Sequence, residues 1–144
     1  MALVLGSVPQ EEGEVNVPIG RYLRDRKKMA ITLIGGRGAV THFKVLERFS
    51  NFTFIEASLE TGRTHQIRVH MAYLGYPVVG DTKYGWRKGL KGVDKRLQSA
   101  ISNLKGQALH AQALGFLHPV TGQYMEFSTP LPRDIGEVIC ALRG

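Results

Sequence analysis

Cysteine is almost missing: Cys140 is the only one in 144 residues, so no internal disulfide can form. A lone thiol fits a reducing compartment, and a cytoplasmic location is expected. Its setting, "EVICALRG", is apolar and predicts a buried, structural thiol rather than a nucleophile. No apolar run approaches the roughly 18 residues that a membrane-spanning helix needs. The opening "MALVLGSVPQEEGEV" has no basic leader and turns acidic, unlike a signal peptide. There are no internal repeats or low-complexity tracts. A Walker-type phosphate loop and a GxSxG elbow are both missing, and "GGRG" reads as a hairpin turn. His65 and His70 are five apart, and His110 and His118 eight apart. Neither spacing puts two ligands on one helix face, so no metal site is expected.

Acidic residues are also in deficit. There are 12 against 19 Lys and Arg, a formal net charge of +7. That balance favours a polyanionic partner, whether RNA, DNA or an acidic membrane surface. The charge is concentrated in two runs. "RYLRDRKKMA" carries Arg21, Arg24, Arg26, Lys27 and Lys28, and "KYGWRKGLKGVDKR" carries Lys83, Arg87, Lys88, Lys91, Lys95 and Arg96. Either run alone is as readily a solvated loop. Two runs together with an arginine-rich stretch at 61–75 tilt the balance toward nucleic acid.

What remains is ordinary for a soluble single domain: 43% apolar and 22% charged residues. "MALVLG" reads as a strand with no lead-in, which suggests a piece of something larger. A possible short strand lies at 15–19, and two strand candidates flank the glycine turn at 35–38. "FTFIEASLE" is a β run that pairs with its predecessor across Ser50 and Asn51, giving a hairpin over 39–60. Thr61-Gly62 then breaks the strand. Ile67, Met71 and Leu74 fall at helical spacing, so a helix is predicted over about 65–75, with Thr64 as N-cap and Pro77 preventing continuation. "VVGD" predicts a short strand and a turn. A helix is expected near 94–103 and a strand pair within 107–128. Asp134 is expected to cap a last helix that runs through Leu142. About seven strands and three helices in clusters argue for α+β: one mixed, largely antiparallel sheet with a few flanking helices.

The chemistry concentrates in "TGRTHQIRVHMAYLG". Arg68 lies between Ile67 and Val69 and is expected to be partly buried. A buried guanidinium needs an anionic partner, best a bidentate carboxylate or phosphate. The residues alone leave two alternatives open: a structural Arg–acid pair, or an arginine placed for catalysis or for a nucleic-acid backbone.

"ETGRTHQIRVHMAYLGYPVVGDTKYG" resembles the signature of the Rlu-type RNA pseudouridine synthases. "MALVLG", "PIGRYLRDRKKMA", "AVTHFKVLERF" and "LHAQALGFLHPVTGQYMEFSTPLP" extend the resemblance over essentially the whole chain. The ribosomal large-subunit branch is the most similar. The resemblance implies a uridine flipped out of structured RNA and isomerised to pseudouridine by an Asp nucleophile, with no cofactor and no metal. It gives Arg68 the role of holding that Asp, and Leu114 a place beside the target base. Arg63, His65, Gln66, Arg24, Arg26, Lys27, Lys28, Lys83 and Arg87 become candidate RNA contacts. The family Asp lies in a motif like "HRLDxxTSG", which none of the four Asp here matches, and none of the five Tyr matches the family tyrosine. Residues 1–144 are therefore expected to be a single domain, the C-terminal portion of the catalytic domain, and inactive alone. The resemblance also implies an Arg68 left without its carboxylate, lining one cleft with Leu114. Exposed strand edges would favour self-association, and no membrane partner is expected. The alternatives are a non-catalytic basic RNA-binding module and a structural basic domain that touches RNA or lipid non-specifically.

Overall fold

The computed structural model describes residues 1–22, 24, 25, 27–85 and 92–144. In chain order the elements are β1 (Ala2–Leu5), β2 (Glu12–Asn16), β3 (Ile19–Arg21), β4 (Met29–Ile31), β5 (Val40–Arg48), β6 (Phe52–Leu59), α1 (Gln66–Tyr73), α2 (Lys95–Ser102), β7 (Ala113–Leu117), β8 (Tyr124–Ser128) and α3 (Arg133–Arg143). The fold is α+β. Every strand pairing among the described residues is antiparallel, and the strands form three sheets rather than one mixed sheet. A four-stranded sheet runs β1-β6-β5-β2, while β3–β4 and β7–β8 are separate hairpins. The "VVGD" segment makes one isolated bridge, Val78 to Val4, instead of a strand.

The four-stranded sheet is buried on both faces. Successive side chains of β1 point to opposite sides, so Leu3 joins one cluster while Ala2 and Val4 join the other. On the Leu3 side, α2 offers Leu97, Ala100 and Ile101, joined by Leu104 just past its end, and α3 offers Ile135, Val138, Ile139 and Leu142. Both quartets follow the i, i+3, i+4, i+7 spacing that makes one apolar helix stripe. Full burial of each large aliphatic side chain contributes about 1.5–3 kcal/mol. On the other side, Met71 and Ile67 of α1 pack with Val4, Val15, Phe43 and Ile55. Val69 of α1 turns to a third cluster with Ile19, Met29 and Ile31, which seats the basic β3–β4 hairpin on the helix.

Several sequence expectations are corrected. Cys140 is exposed, with the Arg96 guanidinium 3.7 Å from its sulfur. It follows Ile139 but lies off the apolar stripe, so the composition around it misleads. Asp134 does not cap α3. The N-cap position is Pro132, and Asp134 accepts from the amides of Ile135 and Lys105. Asp94 does cap α2, accepting from the Leu97 amide at 2.8 Å. The outer edge of β1 is covered, not open: Leu3 donates to Ala108, Leu5 to Pro77, and Val79 to Leu3.

Candidate active site

Thr61 lies two residues past the end of β6 and begins the construction of the site. Its hydroxyl accepts from the Val40 amide and donates to Gln66 Oε1 at 2.8 Å. Gln66 Oε1 also accepts from the Arg63 amide, and its Nε2 donates to the Val40 carbonyl and to Thr41 Oγ1. Gln66 is buried with both ends of its amide engaged. It therefore ties the start of α1 to β5 and does not face RNA, contrary to the sequence expectation. Thr64 is exposed, and the N-cap is His65 in the left-handed conformation, φ 59°. A non-glycine residue there is uncommon and costs on the order of 1–3 kcal/mol unless its surroundings hold it.

Tyr84 supplies that hold. Its hydroxyl accepts from the Met29 amide at 2.9 Å and lies 2.8 Å from His65 Nδ1. A phenol that accepts from the Met29 amide still has its own proton, which it can give to an unprotonated Nδ1. The electrostatics agree. Burial lowers the His65 pKa, and the Arg68 and Lys83 cations lower it further, against a smaller opposing pull from Asp81.

One turn into the helix, Arg68 meets an acid of this chain. Nε donates to Asp81 Oδ2 at 2.7 Å and Nη2 donates to Oδ1 at 2.8 Å. The expected orphan is thus paired, by a residue that the sequence reading left in a turn. Asp81 Oδ1 also accepts from the amides of Lys83 and Tyr84. The Asp81 side chain is 1% exposed and that of Arg68 13%. Burial alone would raise the Asp81 pKa, but Arg68 and the two amides outweigh it and the pKa is lowered. The Arg68 pKa is raised, chiefly by its hydrogen bonds to Asp81. The guanidinium also lies 4.9 Å from the centre of the Tyr84 ring, within cation–π range. Gly80 fixes the approach of Asp81: its φ is 79°, and a Cβ there would sit 2.5 Å from the Gly106 carbonyl oxygen.

A guanidinium has two edges that can bind a carboxylate. The Nε/Nη2 edge of Arg68 is filled by Asp81. Among the described residues no acceptor pairs with Nη1.

Leu114, on β7, is 61% exposed. It lines a cavity of about 650 Å³ with Ile67, Leu109, Glu56, Ser58 and His110. The volume suits a small ligand. Arg68 is not in its wall, so this cavity is not the shared cleft that was expected. Of the other candidates, Arg24, Lys27 and Lys28 lie in the turn between β3 and β4, with Arg24 and Lys27 exposed. Lys83 Nζ donates to the Lys27 carbonyl, joining the turn that carries Asp81 to this hairpin. Arg63 is half-buried and donates to the Gly38 carbonyl at 3.0 Å. Arg26 and Arg87 lie outside the described residues.

Comparison with known proteins decides the family. The RNA pseudouridylate synthase profile matches residues 1–73, which hold the four-stranded sheet, the basic hairpin and α1 with Arg68. The chain belongs to the RNA pseudouridylate synthase family. It is 51% identical over 142 residues to the uncharacterized RNA pseudouridine synthase YlyB of Bacillus subtilis, covering 99% of this chain and 43% of that protein. It is 48% identical over 144 residues to the ribosomal large subunit pseudouridine synthase D of Xanthomonas campestris, covering 99% and 43%. The chain thus spans less than half the length of these pseudouridine synthases. Two solved human structures share the fold. RNA pseudouridylate synthase domain containing 4 superposes with a TM-score of 0.75 at 27% identity, over 99% of this chain and 60% of that one. RNA pseudouridylate synthase domain containing 1 gives 0.71 at 26%, over 99% and 63%.

Proposed function

We propose that this chain is the part of an RNA pseudouridine synthase that holds the positioning arginine, Arg68, and a wall of the base pocket at Leu114. The substrate is uridine in structured RNA, in the first place large-subunit ribosomal RNA, the target named for the relative from Xanthomonas campestris. The observation that carries the reading is the state of Arg68: one edge fixed to a buried carboxylate, its Nη1 not taken up within the described chain. Such an arginine can hold a second carboxylate ionised and aimed. The reaction is an isomerisation. The bond from N1 to the ribose breaks, one from C5 to the ribose forms, and the C5 proton is exchanged for one at N1. It needs neither oxidant nor cofactor.

The nucleophile is not one of the four aspartates. Asp81 is buried with both oxygens engaged. Asp94 caps α2, Asp134 accepts two amides, and Asp25 accepts from the Lys27 amide in the hairpin turn. Residues 1–144 alone are therefore inactive, and the carboxylate comes from another segment of the whole protein. The protein works on RNA in the cytoplasm, and the basic hairpin supplies phosphate contacts.

The test is pseudouridine formation in transcribed large-subunit RNA, read by mass spectrometry. The full polypeptide that the gene encodes is expected to form it, and residues 1–144 are expected to bind the RNA without product. Product from residues 1–144 alone overturns the missing nucleophile. RNA binding with no product from the full polypeptide makes the protein a non-catalytic RNA-binding module.

A further inference from the structure

We infer that the turn carrying Leu33 and Ile34 is an apolar wedge for RNA: the two side chains pack on unstacked nucleobases beside the site, and Arg37 and Arg63 meet the flanking phosphates. The inference rests on the reading of the chain as part of an RNA enzyme and deepens it by naming a contact that selects unstacked bases.

Leu33 and Ile34 are 83% and 92% exposed and follow one another in the turn that joins β4 to β5. Single apolar residues scattered over a surface are ordinary. Two large aliphatic side chains in succession are not, in a tight turn where Gly, Asn, Asp or Ser usually stand. Nothing in the described fold needs them, since the surrounding chain leaves both almost bare. The turn beneath them is fixed. The Thr32 amide donates to the Pro18 carbonyl at 3.0 Å, and Ile19 and Arg37 exchange both of their backbone bonds, at 3.0 and 2.9 Å. A Cβ on Gly36 would collide with the Thr32 carbonyl, so the chain can reverse this tightly only with glycine there. The pair is therefore presented on a rigid base, and little ordering of the turn opposes binding.

Charge and place select the occupant. Arg37 is exposed and Arg63 half-buried, and among the described residues neither is paired with an acid. Arg63 Nε donates to the Gly38 carbonyl and the Arg63 amide to Gln66. These bonds tie the end of the turn to the start of α1, the end of the helix that carries Arg68. An apolar tip with cations at its flank suits a polyanion that also shows apolar faces, which is what unstacked RNA offers. A continuous duplex hides its base faces, whereas loops and bulges expose them, and there a uridine is extruded at the smallest cost. Leu and Ile are among the side chains that proteins insert between base steps.

The experiment measures binding of the full polypeptide that the gene encodes to two RNAs, over several salt concentrations. One is a transcribed large-subunit fragment with loops, the other a perfect RNA duplex of equal length. The proteins are wild type, Leu33→Ser with Ile34→Ser, Leu33→Met with Ile34→Met, and Arg37→Gln. Both aliphatic positions are exposed, so melting temperatures are expected to match wild type. The serine pair is expected to weaken binding to the looped RNA about 10-fold at an unchanged salt slope, and to leave duplex binding as it was. The methionine pair, still apolar, is expected to keep wild-type affinity. Arg37→Gln is expected to lower the slope of log affinity against log salt by about 0.7. Wild-type affinity of the serine pair for the looped RNA overturns the inference. So does an equal loss on the duplex, a lowered slope in the serine pair, a methionine pair as weak as the serine pair, or an unchanged slope in Arg37→Gln. A wild-type polypeptide that binds neither RNA is a separate result, which overturns the underlying reading of the chain as part of an RNA enzyme and the wedge with it.

Discussion

His70 on α1 and Thr41 on β5 are joined side chain to side chain, with Nδ1 2.9 Å from Oγ1, and both residues are fully buried. Thr41 accepts from Gln66 Nε2 and can give its own proton to an unprotonated Nδ1. His70 Nε2 then donates to the Val17 carbonyl at 3.1 Å. Burial lowers the His70 pKa, with the Val17 carbonyl opposing more weakly, which favours the neutral imidazole. In the unfolded chain the ring takes a proton near pH 6.5. Below that pH the unfolded state binds more protons, so stability falls as the solution is acidified. His65 is lowered as well and adds in the same direction. Thermal melts of residues 1–144 between about pH 7.5 and 5.5 should therefore show a falling midpoint. His70→Gln should flatten that slope while costing about 1–3 kcal/mol at neutral pH, because buried partners are left unpaired.

Gln66 makes four hydrogen bonds from a fully buried position. Gln66→Ala strands partners on both the turn and β5. Destabilisation on the order of 2 kcal/mol or more is expected in urea unfolding. At temperatures where the variant stays folded, its RNA affinity should equal wild type. A variant of normal stability with weakened RNA binding would return Gln66 to the RNA contacts.

Arg24, Lys27 and Lys28 occupy the turn of a hairpin seated on α1. Their joint replacement by Gln should weaken RNA binding and lessen its salt dependence. Each phosphate contact to a single strand contributes about 0.7 to the slope of log affinity against log salt, so a drop of about 2 is expected. Filter binding at several salt concentrations measures it, and an unchanged slope would make the turn a solvated loop.

The β7–β8 hairpin belongs to neither main cluster and exposes Leu114, Leu117, Tyr124 and Phe127, with Phe116 and Phe127 stacked at 5.9 Å. A two-stranded ribbon is marginal by itself, and an exposed apolar ribbon invites association. Residues 1–144 are expected to self-associate in light scattering at high concentration, and Leu117→Ser with Phe127→Ser to reduce the mass observed. A monomer of unchanging mass would show that this ribbon is inert.

What could be read from the sequence was local. The β5–β6 hairpin, α1 and α2 follow from alternation and helical spacing, which act within a few residues. Whether β7–β8 joins the main sheet depends on partners far along the chain, which alternation does not reveal. Cys140 was misplaced because apolar composition was read without the helical stripe, which runs through Ile139 and Leu142 and passes it by. At the site, the need of Arg68 for an anion was legible and its partner was not. Asp81 lies 13 residues away, and its only local sign is the turn-forming Gly80-Asp81 pair followed by amides that its carboxylate accepts. Tyr84 gave no sign at all, since a phenol that holds a histidine, an amide and a guanidinium has no spacing rule.

The claim that Arg68 holds the nucleophile is tested most directly by single-turnover kinetics of the full polypeptide with Arg68→Ala, enzyme in excess over RNA, so that chemistry is separated from binding. The account expects RNA affinity to be kept and the chemical step to fall by about 100-fold or more. A chemical step within a few-fold of wild type would contradict it.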